Sequence, residues 1–233
     1  MFPSSKSKMR PARLTRVPAA DKKSGNANGQ KFFFGNLELD IFPTVYGPRE
    51  DSVLLAESIS ASDVKGKSCI DIGCGSGIQS INLAMKGAAK VLAVDVNEKA
   101  VENAIHNAKK LGFDKIITAV QSDLFGNVKK DLDWKYDLIV FNPPYLESES
   151  IEERELDGGK EGREVLDRFL EKAGELLNAN GKIYFLQSSL NGIDETEQLL
   201  KKLGFIGKIV ARKGIFFEEL VVFKAGKVAI TKD

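Results

Sequence analysis

From Ser68 onward the sequence alternates short apolar runs with longer amphipathic ones, and that alternation leaves few folds open. SCIDIG (68–73), KVLAVDV (90–96), KIITAVQSD (115–123) and YDLIVFN (136–142) have the length and β-branched content of strands. GIQSINLAMKG reads as a helix that ends at Gly87. NEKAVENAIHNAKKLGF reads as an amphipathic helix with Ala100, Ala104, Ala108 and Leu111 along one side. After a polar loop come a helix (REVLDRFLEKAGELLN), a strand (GKIYFLQSS) and another helix (DETEQLLKKLG). FIGKIVARK and FFEELVVFKA close the series as two strands joined by a short Lys213–Gly214 link, and so antiparallel. Strands separated by helices run parallel and are covered on both faces. The expectation is an α/β fold: a seven-stranded, mostly parallel sheet with an antiparallel last strand. KFFFGNLELDIF adds a β-hairpin in front, turned at Gly35–Asn36, and a helix starts near Glu50.

In such sheets ligands bind at the carboxyl ends of the strands, where the strand order reverses. Four loops there carry chemistry. The first is DIGCGSG, with Gly73, Gly75 and Gly77 leading into a helix start that offers free N–H groups. Ile78 stands where a dinucleotide fingerprint needs its third glycine, and no phosphate-loop pattern is present. Asp71 would repel a pyrophosphate but suits an ammonium. Asp95, ending the second strand, can accept both hydroxyls of a ribose. Asp123 can accept from an adenine amino group, with Leu124 beside the ring. Ammonium, ribose and adenine together describe S-adenosylmethionine.

The fourth strand stops on Asn142, followed by Pro143, Pro144 and Tyr145. Prolines end a strand because they have no N–H to give. They do not account for the asparagine or the tyrosine. An NH₂ group conjugated with a π system, in an amide or on a base, is a poor nucleophile and must be aligned with its methyl donor. Asn142 Oδ1 can accept one of its N–H groups and the Pro143 carbonyl the other. Tyr145 can stack on the flat group that carries them.

Composition removes other classes. The chain has 233 residues and a net charge of +1, which gives no overall field toward nucleic acid or membrane. Its cysteines, Cys69 and Cys74, and its one histidine, His106, are too few for a zinc site, so no metal is expected. The two cysteines are expected to be reduced thiols of a cytoplasmic protein. No apolar run approaches the ~20 residues that span a membrane. Residues 1–30 are basic and poor in large apolar side chains, and read as a flexible tail before one domain over 31–233. Nucleic-acid contact is expected only through that tail. His106, mid-helix, is expected to be solvated, and Trp134 to pack at the edge of the fourth strand.

The motifs IDIGCGSG, VDVN, SDLF and FNPPY resemble those of the Rossmann-like class I S-adenosylmethionine methyltransferases. VYGPRED (45–51), FNPPYL and GGKEGREVLDRF (158–169) narrow the resemblance to the archaeal and eukaryotic branch of the HemK (PrmC) group. The likeness runs from about Leu37 to Lys224. It implies methylation of the glutamine amide in the Gly-Gly-Gln loop of a class I release factor, and a small zinc-binding activator subunit as partner. The alternative is an adenine or guanine amino methyltransferase. The residues expected at the cofactor are Ser52, Asp71, Gly73, Cys74, Gly75, Gly77, Asp95, Val96, Asp123, Leu124 and Asn142. Those expected at the reacting amide are Asn142, Pro143, Pro144 and Tyr145. The resemblance also places Tyr46 and Glu50 near the cofactor, while Glu50 and Asp51 suit a helix start as plain charges. Arg49 stands where the family carries a small residue, and Leu156–Asp157 where the branch has Trp-Ala. The paired glycines at 158–159 suggest a loop that frames the substrate.

Overall fold

The structure is a computed structural model that describes residues 30–128, 135–145 and 162–227. The expected tail, Trp134, and the Leu156–Gly159 loop lie outside these residues. A two-stranded antiparallel hairpin comes first, β1 (Gln30–Phe34) with β2 (Leu37–Ile41), turned at Gly35 and Asn36. The strands that follow are β3 (Ser68–Ile72), β4 (Lys90–Asp95), β5 (Ile117–Gln121), β6 (Tyr136–Phe141), β7 (Leu177–Ser188), β8 (Phe205–Ile215) and β9 (Glu218–Lys227). They form one sheet in the order β5-β4-β3-β6-β7-β9-β8. β9 alone runs antiparallel to its neighbours, β7 and β8.

Among the described residues six α-helices connect these strands: α1 (Glu50–Ser58), α2 (Ala61–Val64), α3 (Ile78–Met85), α4 (Glu98–Lys110), α5 (Glu164–Leu176) and α6 (Ile193–Lys202). The two-residue period of the strands divides the core between two faces. Leu138 and Val140 of β6 join Leu55, Ile81 and Ala104 from α1, α3 and α4. Ile139 and Phe141 join Phe169, Leu170 and Leu200 from α5 and α6. Burial on both faces is why YDLIVF reads as a continuous apolar run. From β3 the chain steps outward to β4 and β5, then returns to β6 on the other side of β3. The reversal opens a crevice between β3 and β6 at their carboxyl ends, the place such sheets reserve for ligands.

Three local expectations change. The Lys213–Gly214 link lies inside β8, paired with Leu220 and Glu219, and the turn falls at Phe216–Phe217. Phe216 takes φ +40°, and both rings are fully exposed. Lys-Gly has turn chemistry, but ten paired registers outweigh it. The helix expected to reach Asn178 ends at Leu176, and β7 starts at Leu177 with a register break before Lys182. The short α2 gave no periodic signal in four residues. Its Asp63 accepts from Lys182, Lys224 and Tyr184 on the sheet, tying α2 down.

Candidate active site

A cavity of about 280 Å³ lies at the carboxyl ends of β3, β4 and β6. Its walls include Ser52, Gly73, Cys74, Gly75, Asp95, Val96, Asp123, Leu124 and Asn142, together with Pro143, Pro144 and Tyr145. The register explains the convergence. Ile72 pairs with Phe141 and Val94 across β3, so Gly73, Asp95 and Asn142 leave neighbouring strands side by side.

The glycine loop is held from both sides. Cys74 N–H donates to the Val94 carbonyl at 2.9 Å, and Gly75 N–H to Asp95 Oδ2 at 2.9 Å. Gly73 has φ +64°, and a Cβ there would meet the Phe141 ring at 3.2 Å. This position needs glycine for conformation and for space. Asp95 Oδ1 accepts from Asn97 N–H at 2.9 Å. Burial raises the Asp95 carboxyl above its usual range, against the pull of those backbone donors.

Two expected residues lie outside the cavity wall. Asp71 is wholly buried, and its Oδ2 accepts from Ser80 N–H at 2.9 Å and Ser80 Oγ at 2.6 Å. Burial pushes this carboxyl up to about 7, against the Ser80 hydrogen bonds. Its Oδ1 is buried without a partner among the described residues. Gly77, at φ +87°, caps the start of α3, and a Cβ there would sit 3.1 Å from Ala104 Cα. Its position governs helix approach. Asp123 lines the cavity but pairs with Arg168 of α5 at 2.6 Å, and most of its side chain is exposed. Cys74 contributes wall, with its thiol pushed well up by burial and then by Asp95 and Asp71.

The stretch from Tyr46 into the first turn of α1 lies over the cavity with a different cast from the expected one. Tyr46 and Ser52 line it, whereas Glu50 reaches away to Lys213 at 3.1 Å. Asp51, read from sequence as a helix-start charge, is 2% exposed and faces the cavity. It accepts from Tyr46 Oη at 2.9 Å and from Asn142 Nδ2 at 3.1 Å. Burial, then Asp51, raises the Tyr46 and Tyr145 phenols, so both rings stay neutral at physiological pH. Gln79 also lines the cavity, tied to the Ser52 carbonyl at 2.8 Å. Gln79 stood in no motif, and Asp51, the last residue of VYGPRED, was read only as a charge at a helix start. The only signal was an acid and an amide in the first turns of helices that border a ligand loop.

Three buried acceptors of the wall have no partner among the described residues: Asn142 Oδ1, Gln79 Oε1 and the Ser76 hydroxyl. Orphaned buried acceptors cost stability unless a ligand uses them. The wall offers one side rich in acceptors and a second side, Tyr145 with two prolines, that is flat and apolar. Among the described residues no group of histidine, cysteine or carboxylate side chains could hold a metal.

Residues 49–216 match the family model described as the methyltransferase small domain. The chain is 43% identical over 198 residues to a Methanocaldococcus jannaschii protein named "Putative protein N5-glutamine methyltransferase", covering 82% of this chain and 96% of that one. It is 32% identical over 208 residues to the human methyltransferase HEMK2, covering 84% and 95%. Among solved structures it resembles Mtq2 of E. cuniculi, from an Mtq2–Trm112 complex described as methylating the translation termination factor eRF1. The TM-score is 0.64 at 25% identity, over 80% of this chain and 100% of that one.

Proposed function

The chain belongs to the methyltransferase small-domain family, among the HemK-type protein N5-glutamine methyltransferases, and from that premise we propose how its site works. It is an enzyme that methylates the side-chain amide of a glutamine in a class I release factor. The alternative acceptor, a nucleic-acid base, is not favoured by the relatives. The donor is S-adenosylmethionine, which when bound supplies an electrophilic methyl group on a sulfonium sulfur. The cavity wall fits it. Asp95 and the unpartnered Gln79 and Ser76 oxygens suit its hydroxyl and ammonium donors, while Gly73 and Gly75 keep the approach clear of side chains. Asp71 lies behind that wall and bears on the ligand through the position of α3.

One observation carries the reading of the acceptor side. Asn142 Oδ1 is a buried acceptor without a protein partner, on the cavity wall between the glycine loop and Tyr145. A glutamine NH₂ brings the donors this oxygen lacks. The Pro143 carbonyl is a second acceptor, since proline keeps its carbonyl intact. The ring of Tyr145 covers the amide plane. No residue needs to remove a proton beforehand. Asn142 and Pro143 align the nitrogen, and preorganised acceptors meet the positive charge that develops on it. The proton leaves to solvent after transfer.

A small zinc-binding activator subunit is part of the proposal, supported by the partnered state of Mtq2. A cytoplasmic location is part of the same proposal; no described helix is long and apolar enough to cross a membrane. The test offers labelled S-adenosylmethionine with a class I release factor, with its loop Gln→Ala variant, and with total RNA and DNA. Label on the intact factor alone is expected. Label on nucleic acid alone would overturn the reading.

A further inference from the structure

We infer that Asp51 is a positioning residue that sets which face of the Asn142 amide looks into the cavity. The inference rests on the reading of Asn142 as an amide clamp. Asn142 has one donor end and one acceptor end, and only the acceptor end can receive a substrate NH₂. Turned the other way, it would set its own NH₂ against the substrate's, and both would be donors. Something must hold the turn, because the two amide orientations have nearly the same shape.

Asp51 does this by chemistry that allows one outcome. An ionised carboxylate has no donor. Its Oδ2 lies 3.1 Å from Asn142 Nδ2, where an amide oxygen would face a like charge. Ser52 Oγ, 3.5 Å from the same nitrogen, is a second acceptor on that side. Asn142 therefore points Nδ2 at Asp51 and leaves Oδ1 unpartnered.

The carboxylate is itself fixed. Oδ1 accepts from Ser52 N–H at 2.6 Å and from Ser52 Oγ at 3.1 Å, and Oδ2 accepts from the Tyr46 hydroxyl at 2.9 Å. These three donors fix both oxygens of a side chain that is only 2% exposed. The first turn of α1 thus reaches across 91 positions to orient the group at the end of β6.

Asp51→Asn tests this. The Ser52 donors keep the new side chain's oxygen, so its NH₂ faces Asn142 and turns that amide over. Turnover of the full-length enzyme is expected to fall by roughly 10²-fold, as for loss of one transition-state acceptor, with S-adenosylmethionine affinity little changed. The reciprocal pair Asp51→Asn/Asn142→Asp restores a donor facing an acceptor, with an oxygen toward the substrate. It is expected to recover about tenfold over Asp51→Asn alone, a coupling that independent structural losses do not produce. A second readout needs no variant. In the free wild-type protein the Asn142 side-chain NH₂, bonded to Asp51, is expected to be protected from hydrogen exchange. Asp51→Asn at full rate, a double variant no faster than Asp51→Asn, or an Asn142 NH₂ exchanging at the solvent rate would each overturn the inference. Asn142→Ala separates it from its premise. If that variant keeps full turnover, the clamp itself fails. If it is slow while Asp51→Asn is fast, only the role of Asp51 fails.

Discussion

Gly75 donates its backbone N–H to Asp95 Oδ2 at 2.9 Å, so the glycine loop after β3 and the carboxylate after β4 are fixed to one another. Each Asp95 oxygen holds one backbone donor and keeps a lone pair for a ligand. A ribose diol would find both acceptors in place, with little ordering left to do on binding.

Asp95→Ala is therefore expected to weaken S-adenosylmethionine binding. Two hydrogen bonds to a charged group are each worth about 1.5–3 kcal/mol. Allowing for water taking their place, affinity should fall by roughly 10- to 100-fold, measured by calorimetry on the free enzyme. Unchanged affinity would place the ribose elsewhere.

Asp71 gives a pH dependence of the opposite sign from the usual carboxylate. Its folded pKa is raised from 3.8 to about 7 by burial. Between these values the folded chain holds a proton that the unfolded chain has released. Stability from this group is thus fully present below pH 4 and is lost as pH rises toward 7. In Asp71→Asn that loss is absent. The variant's unfolding free energy should gain on the wild type's as pH rises from 4 to 7, by a difference on the order of 1–4 kcal/mol, followed as a rising Tm difference. A Tm difference independent of pH would show that Asp71 is ionised throughout.

These two acids mark where sequence reading stops. Asp71, Asp95 and Asp123 stand at or near the ends of successive strands and look alike in sequence. The strand period sends Asp71 toward α3 and Ser80, whereas Asp95 and Asp123 reach the cavity. Which way a side chain points at a strand's end depends on where pairing stops, and one residue reverses it. The sheet itself was legible, because alternating apolar and amphipathic runs admit one arrangement of layers. So was the placement of NPPY opposite the glycine loop, which follows from the strand order. Asp51 and Gln79 were not legible. Their partners lie 91 and 27 positions away, and in a helix's first turn an acid has a local reason to be there.

Asn103 and Asn107 show the same limit inside α4. One turn apart and fully buried, they act as a strand edge for β2. Asn107 Oδ1 accepts from Asp40 N–H at 2.9 Å, and its Nδ2 donates to the carbonyls of Asp40 and Ser76 at 2.8 and 2.9 Å. It joins the hairpin to the ligand loop. Half-exposed His106, expected in solvent, adds a 2.8 Å contact to Asp40. Asn107→Ala leaves the part-buried Asp40 N–H and the Ser76 carbonyl without these partners. The expected loss is about 2–4 kcal/mol by denaturant unfolding, with release of the hairpin seen as faster amide exchange at Asp40. A loss under about 0.5 kcal/mol would mean that water takes over these bonds.

Gly77 separates conformational need from ligand need. At φ +87° an L side chain is strained, and a Cβ would sit 3.1 Å from Ala104 Cα and 3.2 Å from its Cβ. Gly77→Ala thus meets two costs, a left-handed backbone and displacement of α3 from α4. Together they come to about 2–4 kcal/mol. For a domain of this size that is roughly 5–15 °C in Tm. Ala104→Gly removes the contact but not the backbone strain. The double variant should recover part of the lost Tm, and S-adenosylmethionine affinity should return with it as α3 moves back. If affinity stays low while Tm recovers, Gly77 touches the ligand directly, as its place in the motif first suggested.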